Sequence, residues 1–206
     1  MNLYEIRLED NIISNDTLLE AFLFDCQCTL FLVDGKNEKS VNSVNSVKNI
    51  MAMIDNEKYP FMKRIIVENK SDIMPEEENE EIKKLIKSYP FLDYIRISLK
   101  TKDNFENLLI KIYEEVNLKL LENNLFPLDK VAKCTLKGYV KEDLKDFITL
   151  IIVGDSNIGK TQFSFRYFNN KFLDGLICNL GMDRDIKILK INNKDYYKLT
   201  IWNTPG

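Results

Sequence analysis

The chain of 206 residues contains no histidine. That absence removes His-based general base catalysis, Ser-His triads and His-ligated zinc together. Cysteine is scarce: Cys26, Cys28, Cys134 and Cys178 form no CxxC pair and no disulfide framework, so buried, reduced thiols are expected. No apolar run approaches the ~20 residues of a membrane-spanning helix. Neither a signal peptide nor a myristoylation start nor a C-terminal prenylation cysteine is visible, and we expect a cytoplasmic protein without a membrane anchor. A strong charge of one sign is also lacking. Lys and Arg number 29 against 32 Asp and Glu, interspersed for a net −3, which leaves no basic face for nucleic acid. The length suits one domain slightly above average size, or one domain with an appendage; two full domains would be cramped.

Only seven glycines occur, and two of them punctuate the most informative stretch. Leu150 to Thr161 reads LIIVGDSNIGKT: an apolar, β-branched run, then Gly154-x-x-x-x-Gly159-Lys160-Thr161. This is a phosphate-binding loop pattern. Glycines let backbone N–H groups close on phosphate oxygens, the lysine reaches the β- and γ-phosphates, and the Thr hydroxyl ligates Mg²⁺. Ile148 to Val153 supplies the strand that must precede such a loop. The stretch after Thr161 begins a helix whose positive end faces the anion.

Elsewhere, strand and helix patterns alternate. Leu18, Leu19, Phe22 and Leu23 recur at helical spacing behind Asp16, a candidate N-cap. Cys28 to Val33 is a strand buried on both faces, and Val41, Val44, Val47 and Met51 mark a helix. Arg64 to Val67 is a second buried strand, Glu76 to Lys87 a charged helix, Tyr94 to Ile97 a third strand, and Asp103 to Leu121 the clearest amphipathic helix. Residues 122–146, with Pro127 and Gly138, break the rhythm and read as a connector. Two strands, Asp185 to Ile191 and Tyr197 to Trp202, follow the phosphate loop's helix as a hairpin around Asn192-Asn193. The alternation predicts a parallel α/β sheet with helices on both faces and an antiparallel edge.

Asn69-Lys70-Ser71-Asp72 closes the second strand and Ser98-Leu99-Lys100-Thr101 the third. A carboxylate held in plane accepts from the guanine ring N–H and exocyclic amine, so Asp72 would select guanine. Lys70 and Lys100 would lie along the base, with the N–H of Leu99 donating to its carbonyl oxygen.

These residues resemble the Ras superfamily of small GTPases, most closely its Rab branch. GDSNIGKT is similar to the family's phosphate loop, KLTIWNTPG to its KLxIWDTAG segment, NKSD to NKxD and SLKT to the SAKT loop. The 18 positions from Thr161 to Asn179 match the family's interval from the phosphate-loop Ser/Thr to the switch I threonine. Phe172 falls where the family places an aromatic side chain against the guanine. The resemblance implies a phosphate-loop NTPase fold, a six-stranded mixed sheet, and GTP or GDP as ligand. On the phosphate side it implies contacts from Gly154, Asp155, Ser156, Asn157, Ile158, Gly159, Lys160, Thr161 and Gln162, with Phe172 and Gly206. On the base side it implies Asn69, Lys70, Asp72, Ser98, Leu99 and Lys100.

The motif order departs from the family, which runs phosphate loop, switch I, DTAG, NKxD, SAK. Here NKSD and SLKT come first. A circularly permuted single G domain over 1–206 accounts for this, with a guanine-specificity half (1–121), a connector (122–146) and a phosphate-loop half (147–206). A tandem of two incomplete domains, or a fragment of one, is the rival. Two further departures concern Mg²⁺, which Thr161 and Asn179 would ligate: Asn179 replaces the switch I threonine and Asn203 the DTAG aspartate. Amides in place of hydroxyl and carboxylate ligands weaken the hold on a hard cation. The glutamine that orients the attacking water has no counterpart up to Gly206. The expectation is therefore a guanine-nucleotide-binding protein with weak or absent hydrolysis and no assigned catalytic residue, or else a scaffold of the same fold. The resemblance also places an effector partner at switch I and Trp202, which is either an exposed anchor or ordinary core.

Overall fold

Seven residues, Cys28–Asp34, apolar except for Thr29 and Asp34, form β1, and all seven are buried. They lie at the middle of a six-stranded sheet in a computed structural model that describes residues 23, 26–35, 37–54, 59, 62–73, 79–115, 144–175, 183–191 and 195–204. The other strands are β2 (Lys63–Asn69), β3 (Asp93–Arg96), β4 (Leu144–Val153), β5 (Asp183–Ile191) and β6 (Asp195–Asn203). The helices are α1 (Asn37–Met53), α2 (Glu80–Ser88), α3 (Phe105–Glu115) and α4 (Lys160–Asn169), with one 3₁₀ turn at Ser71–Ile73. The spatial order is β3-β2-β1-β4-β6-β5. All pairs are parallel except β5 with β6, so the expected mixed sheet with its antiparallel edge is what the chain forms.

The period-two alternation of β1 divides the core. Leu30 and Leu32 face α3 and α4, packing with Ile65, Val67, Ile152, Phe105, Leu108 and Phe163. Phe31 and Val33 face the other way, onto Ile66, Ile151, Val44, Val47, Ile82 and Leu85. Each such side chain contributes about 1.5–3 kcal/mol by leaving water, and the two layers together hold every parallel strand with its C-terminal end at the same edge.

Element boundaries moved for local reasons. α2 starts at Glu80 instead of Glu76 because Asn79 caps it, its Oδ1 accepting from the N–H of Glu81 at 3.0 Å. Positive φ at Lys102 (74°) and Asn104 (54°) bars helix before Phe105. β4 begins at Leu144 and takes residues from the connector, because β6 offers backbone partners from Tyr196 onward, with a register shift between Leu144 and Asp146. Cys26 and Cys28 are buried thiols; burial pushes Cys26 up to about 11. The expectations for Asp16 to Phe22, the connector up to 143, Asn192-Asn193, Cys134, Cys178, Asn179 and Gly206 fall outside the described residues.

Candidate functional site

The strand ends of β4, β1, β2 and β3 bring four loops to one edge. After β4, the chain turns through Gly154 at φ 144°, Asn157 at 63° and Gly159 at 111°. A side chain at Gly154 would overlap Ile158 Cδ1 and the carbonyl oxygen of Leu32, and a Cβ at Gly159 would lie 2.5 Å from Asn69 Nδ2. Only glycine fits both the dihedrals and the space there. Asn157 tolerates the left-handed region that its position requires. Lys160 opens α4 and is 7% exposed. Its Nζ donates to the carbonyls of Gly154 (2.8 Å) and Asp155 (2.6 Å), which places a positive charge inside the loop. An anion entering the loop would meet both this ammonium and the α4 N-terminus.

Asn69, at the end of β2, joins this loop to the base-side loops. Its Nδ2 donates to the carbonyl of Ile158 at 2.8 Å, and its Oδ1 accepts from the N–H of Leu99 at 3.1 Å. The N–H of Leu99, read from sequence as a donor to the ligand's carbonyl, is thus directed at Asn69. Ser98 Oγ donates to Asp72 Oδ1 at 2.6 Å and accepts from the N–H of Thr101 at 3.1 Å, which fixes the carboxylate while Asp72 itself stays exposed. Lys70 adopts φ 74° and its Nζ meets Asp34 Oδ2 at 2.6 Å. Lys100 is exposed beside them.

Gln162 uses both ends of its amide on Leu173, Nε2 to the carbonyl (2.7 Å) and Oε1 from the N–H (3.1 Å). This holds the stretch carrying Phe172, which packs half-buried against the α3/α4 core layer. Asp155, Ser156 and Ile158 complete the loop, the first two toward solvent and Ile158 buried. The structure thus ties Asn69 to the Gly154–Gly159 loop and to Leu99, Ser98 to Asp72, and Gln162 to the stretch carrying Phe172.

At the far corner, Asn203 ends β6 and is 1% exposed. Its Nδ2 donates to Thr161 Oγ1 at 3.2 Å, while its buried Oδ1 has no hydrogen-bond partner. No cluster of three or more acidic, cysteine or histidine side chains suited to a metal occurs among the described residues. A divalent cation could bind here only with oxygens supplied by a ligand, next to Thr161 Oγ1 and Asn203 Oδ1. The orphaned oxygen fits that role; its missing negative charge makes the fit weak.

Two residues that shape the site were not singled out from sequence. Asp34 neutralises Lys70, and an acid ending an otherwise apolar buried strand was the available signal. Arg166 donates from Nε and Nη2 to the carbonyl of Leu99 (2.9 and 2.7 Å) and from Nη2 to that of Lys100 (2.7 Å). Nothing in the sequence of α4 marks it as different from a solvated helix arginine.

The Ras family model matches residues 149–206, which span the Gly154–Gly159 loop, α4, β5 and β6. Human Ras-related protein Rab-3A is 39% identical over 81 residues, 37% of this chain and 36% of the relative. Ras-related protein Rab-19 of Xenopus laevis is 35% identical over 71 residues, 34% of this chain and 33% of the relative. Residues 149–206 are thus similar to the Ras family, and both of these relatives are Rab proteins. The aligned stretches span about a third of the length of these relatives. The family match includes Lys160, Thr161 and Asn203 but stops short of Asn69 and Ser98; those join the site through geometry.

Proposed function

We propose that this Rab-like chain binds a guanine nucleotide, GTP or GDP, at the edge described above. The observation that carries the reading is Asn69: one side chain bonds both Ile158, in the phosphate-type loop, and Leu99, in the base-side loop. Segments far apart in sequence are thereby tied together at one edge of the sheet. Gly154 to Gly159 and Lys160 would hold the phosphates, Asp72 would accept from the guanine edge, and Phe172 would stack on the base.

Thr161 and Asn203, with Asn179, would hold Mg²⁺, which when bound neutralises phosphate charge. An uncharged pair of amides holds it weakly, and the same substitutions support weak or absent hydrolysis. Asn203 also favours the second reading, a scaffold of this fold that has no use for turnover. In both readings an effector protein docks at switch I and Trp202, whose ring rests on the α1/α2 core layer with the Arg184 guanidinium 5.4 Å from its centroid.

We further propose that the chain is one circularly permuted G domain over 1–206. What supports this is the pairing of Cys28 to Phe31 with Leu150 to Val153, which puts strands from both sides of the connector in one sheet. Titration with fluorescent GTP, GDP and ATP, with and without Mg²⁺, tests the functional reading. Guanine nucleotides should bind at least ~100-fold tighter than ATP, because a site built to bond the guanine edge leaves polar groups unpaired against adenine. Equal binding of ATP and GTP refutes the guanine assignment, and no binding of either favours the scaffold.

A further inference from the structure

β5 ends the sheet. It pairs with β6 from Asp183–Asn203 to Ile191–Asp195 without a register break, and among the described residues no strand lies on its other side. Among the described residues, its nine positions, without proline, glycine or bulge, leave a row of backbone donors and acceptors open to a further strand. Toward α4, β5 presents Asp185 and Lys187. The Lys187 Nζ donates to the carbonyl of Tyr167 at 3.4 Å and stands 4.3 Å from the Tyr167 ring centroid. Burial raises the carboxyl of Asp185, and burial lowers Lys187 to about 8. Both charges are thus partly desolvated, and among the described residues neither has an ion-pair partner. On the opposite face Ile186 is 44% exposed.

Two identical edges that pair antiparallel are related by a two-fold axis normal to the sheet, which keeps each face on its own side. Only registers centred on a residue are then allowed. Centring on Asp185 sets aspartate against aspartate, and centring on Lys187 sets lysine against lysine. A centre at Arg184 opposes Asp183 and Asp185; one at Ile188 opposes both charges to apolar residues. Centring on Ile186 sets each copy's Asp185 against the other's Lys187, with isoleucine on isoleucine at the axis.

We propose that the β5 edge pairs with the β5 edge of a second copy of this chain about Ile186, with Asp185 of each copy facing the partner's Lys187. The pairing supplies each half-buried charge with its opposite, covers Ile186, and does not depend on the nucleotide reading.

Sedimentation velocity of the full chain tests this, at about 100 µM because so small a contact sits at the weak end of interfaces. The parent chain should dimerise. Asp185→Lys and Lys187→Asp should each be monomeric, and an equimolar mixture of the two should dimerise, since each then offers two like charges against two of the other sign. Ile186→Lys, at an exposed position, should stay folded and monomeric. A monomeric parent, single variants that dimerise as the parent does, folded single variants that stay apart on mixing, or a dimeric Ile186→Lys would each overturn the proposal. Should the charge variants fail to fold, Ile186→Lys alone decides.

Discussion

Asn69 and Asn203 are both buried asparagines at the C-terminal ends of strands, and both touch the Gly154–Thr161 segment. One has partners at both ends of its amide. The other donates to Thr161 Oγ1 and leaves Oδ1 without a partner. Asn69 therefore organises the loops before any ligand arrives, whereas Asn203 marks a corner completed only by something with a positive charge or a donor. On the proposed reading the contrast separates two properties that a nucleotide site usually combines: Asn69 would set the loops that hold the ligand, and Asn203 would hold its metal.

The largest expected effect breaks the satisfied side. Asn69→Leu leaves the Ile158 carbonyl and the Leu99 N–H unpaired in a buried place, each at about 1–3 kcal/mol, so ~2–6 kcal/mol of unfolding free energy should be lost. Asn203→Leu removes an already orphaned oxygen and should change stability by no more than about 1 kcal/mol. Urea denaturation of both variants without nucleotide measures the difference. Similar losses for the two would mean that the orphaned oxygen is satisfied in solution.

Gly159→Ala attacks the same link from the opposite side. Its Cβ would lie 2.5 Å from Asn69 Nδ2 at a φ of 111°, so the amide must give way and the backbone carries strain of about 1–3 kcal/mol. The melting midpoint should fall, and affinity for any phosphate ligand should fall with it. A variant as stable as the parent would show that Asn69 can move without loss.

How much of this was legible beforehand follows the same division. Apolar runs, helical spacing and the phosphate-loop pattern located the described strands and α-helices, because burial leaves its mark residue by residue; the 3₁₀ turn at Ser71–Ile73 was not among them. That the sheet is mixed, with an antiparallel strand at its edge, was also readable. Boundaries shifted where partners outside the segment decided them: Asn79 for α2, and β6 for the early start of β4. Within the site, NKSD and SLKT announced Asn69 and Ser98 as site residues, but not that Asn69 bonds protein groups at both ends. That depends on Ile158 and Leu99 being a hydrogen bond away, which is a property of the folded loops alone. Arg166 and Asp34 stayed hidden for the same reason.

A smaller effect sharpens the Asn203 side. Asn203→Asp restores a charge next to Thr161 without changing side-chain size, and the affinity for GTP should come to depend on Mg²⁺ by roughly tenfold more than in the parent. Turnover should stay low, because a better-held metal does not by itself orient a water. Titration with and without the ion, paired with single-turnover cleavage, reads both. Fast cleavage in the variant would show that the metal alone was limiting.

The smallest effect concerns a third partly desolvated polar group, Lys187, whose environment is aromatic where those of the asparagines are polar. Burial lowers it from its ordinary 10.5 to about 8, so between those values the folded chain holds the lysine neutral while the unfolded chain keeps it protonated. The unfolded state binds more protons in that window, and stability contributed by this group must rise with pH from about 8 to 10.5. Asp185 is raised from a carboxylate value and titrates in acid, so it adds nothing to the slope there. Lys187→Met should remove the rise. The difference in unfolding free energy between parent and variant, followed from pH 7 to 10 at low protein concentration, should therefore move steadily in the parent's favour. A flat difference would place the ammonium in solvent, and the same flattening appearing only at high concentration would be the signature of the partner's Asp185 holding the proton on Lys187.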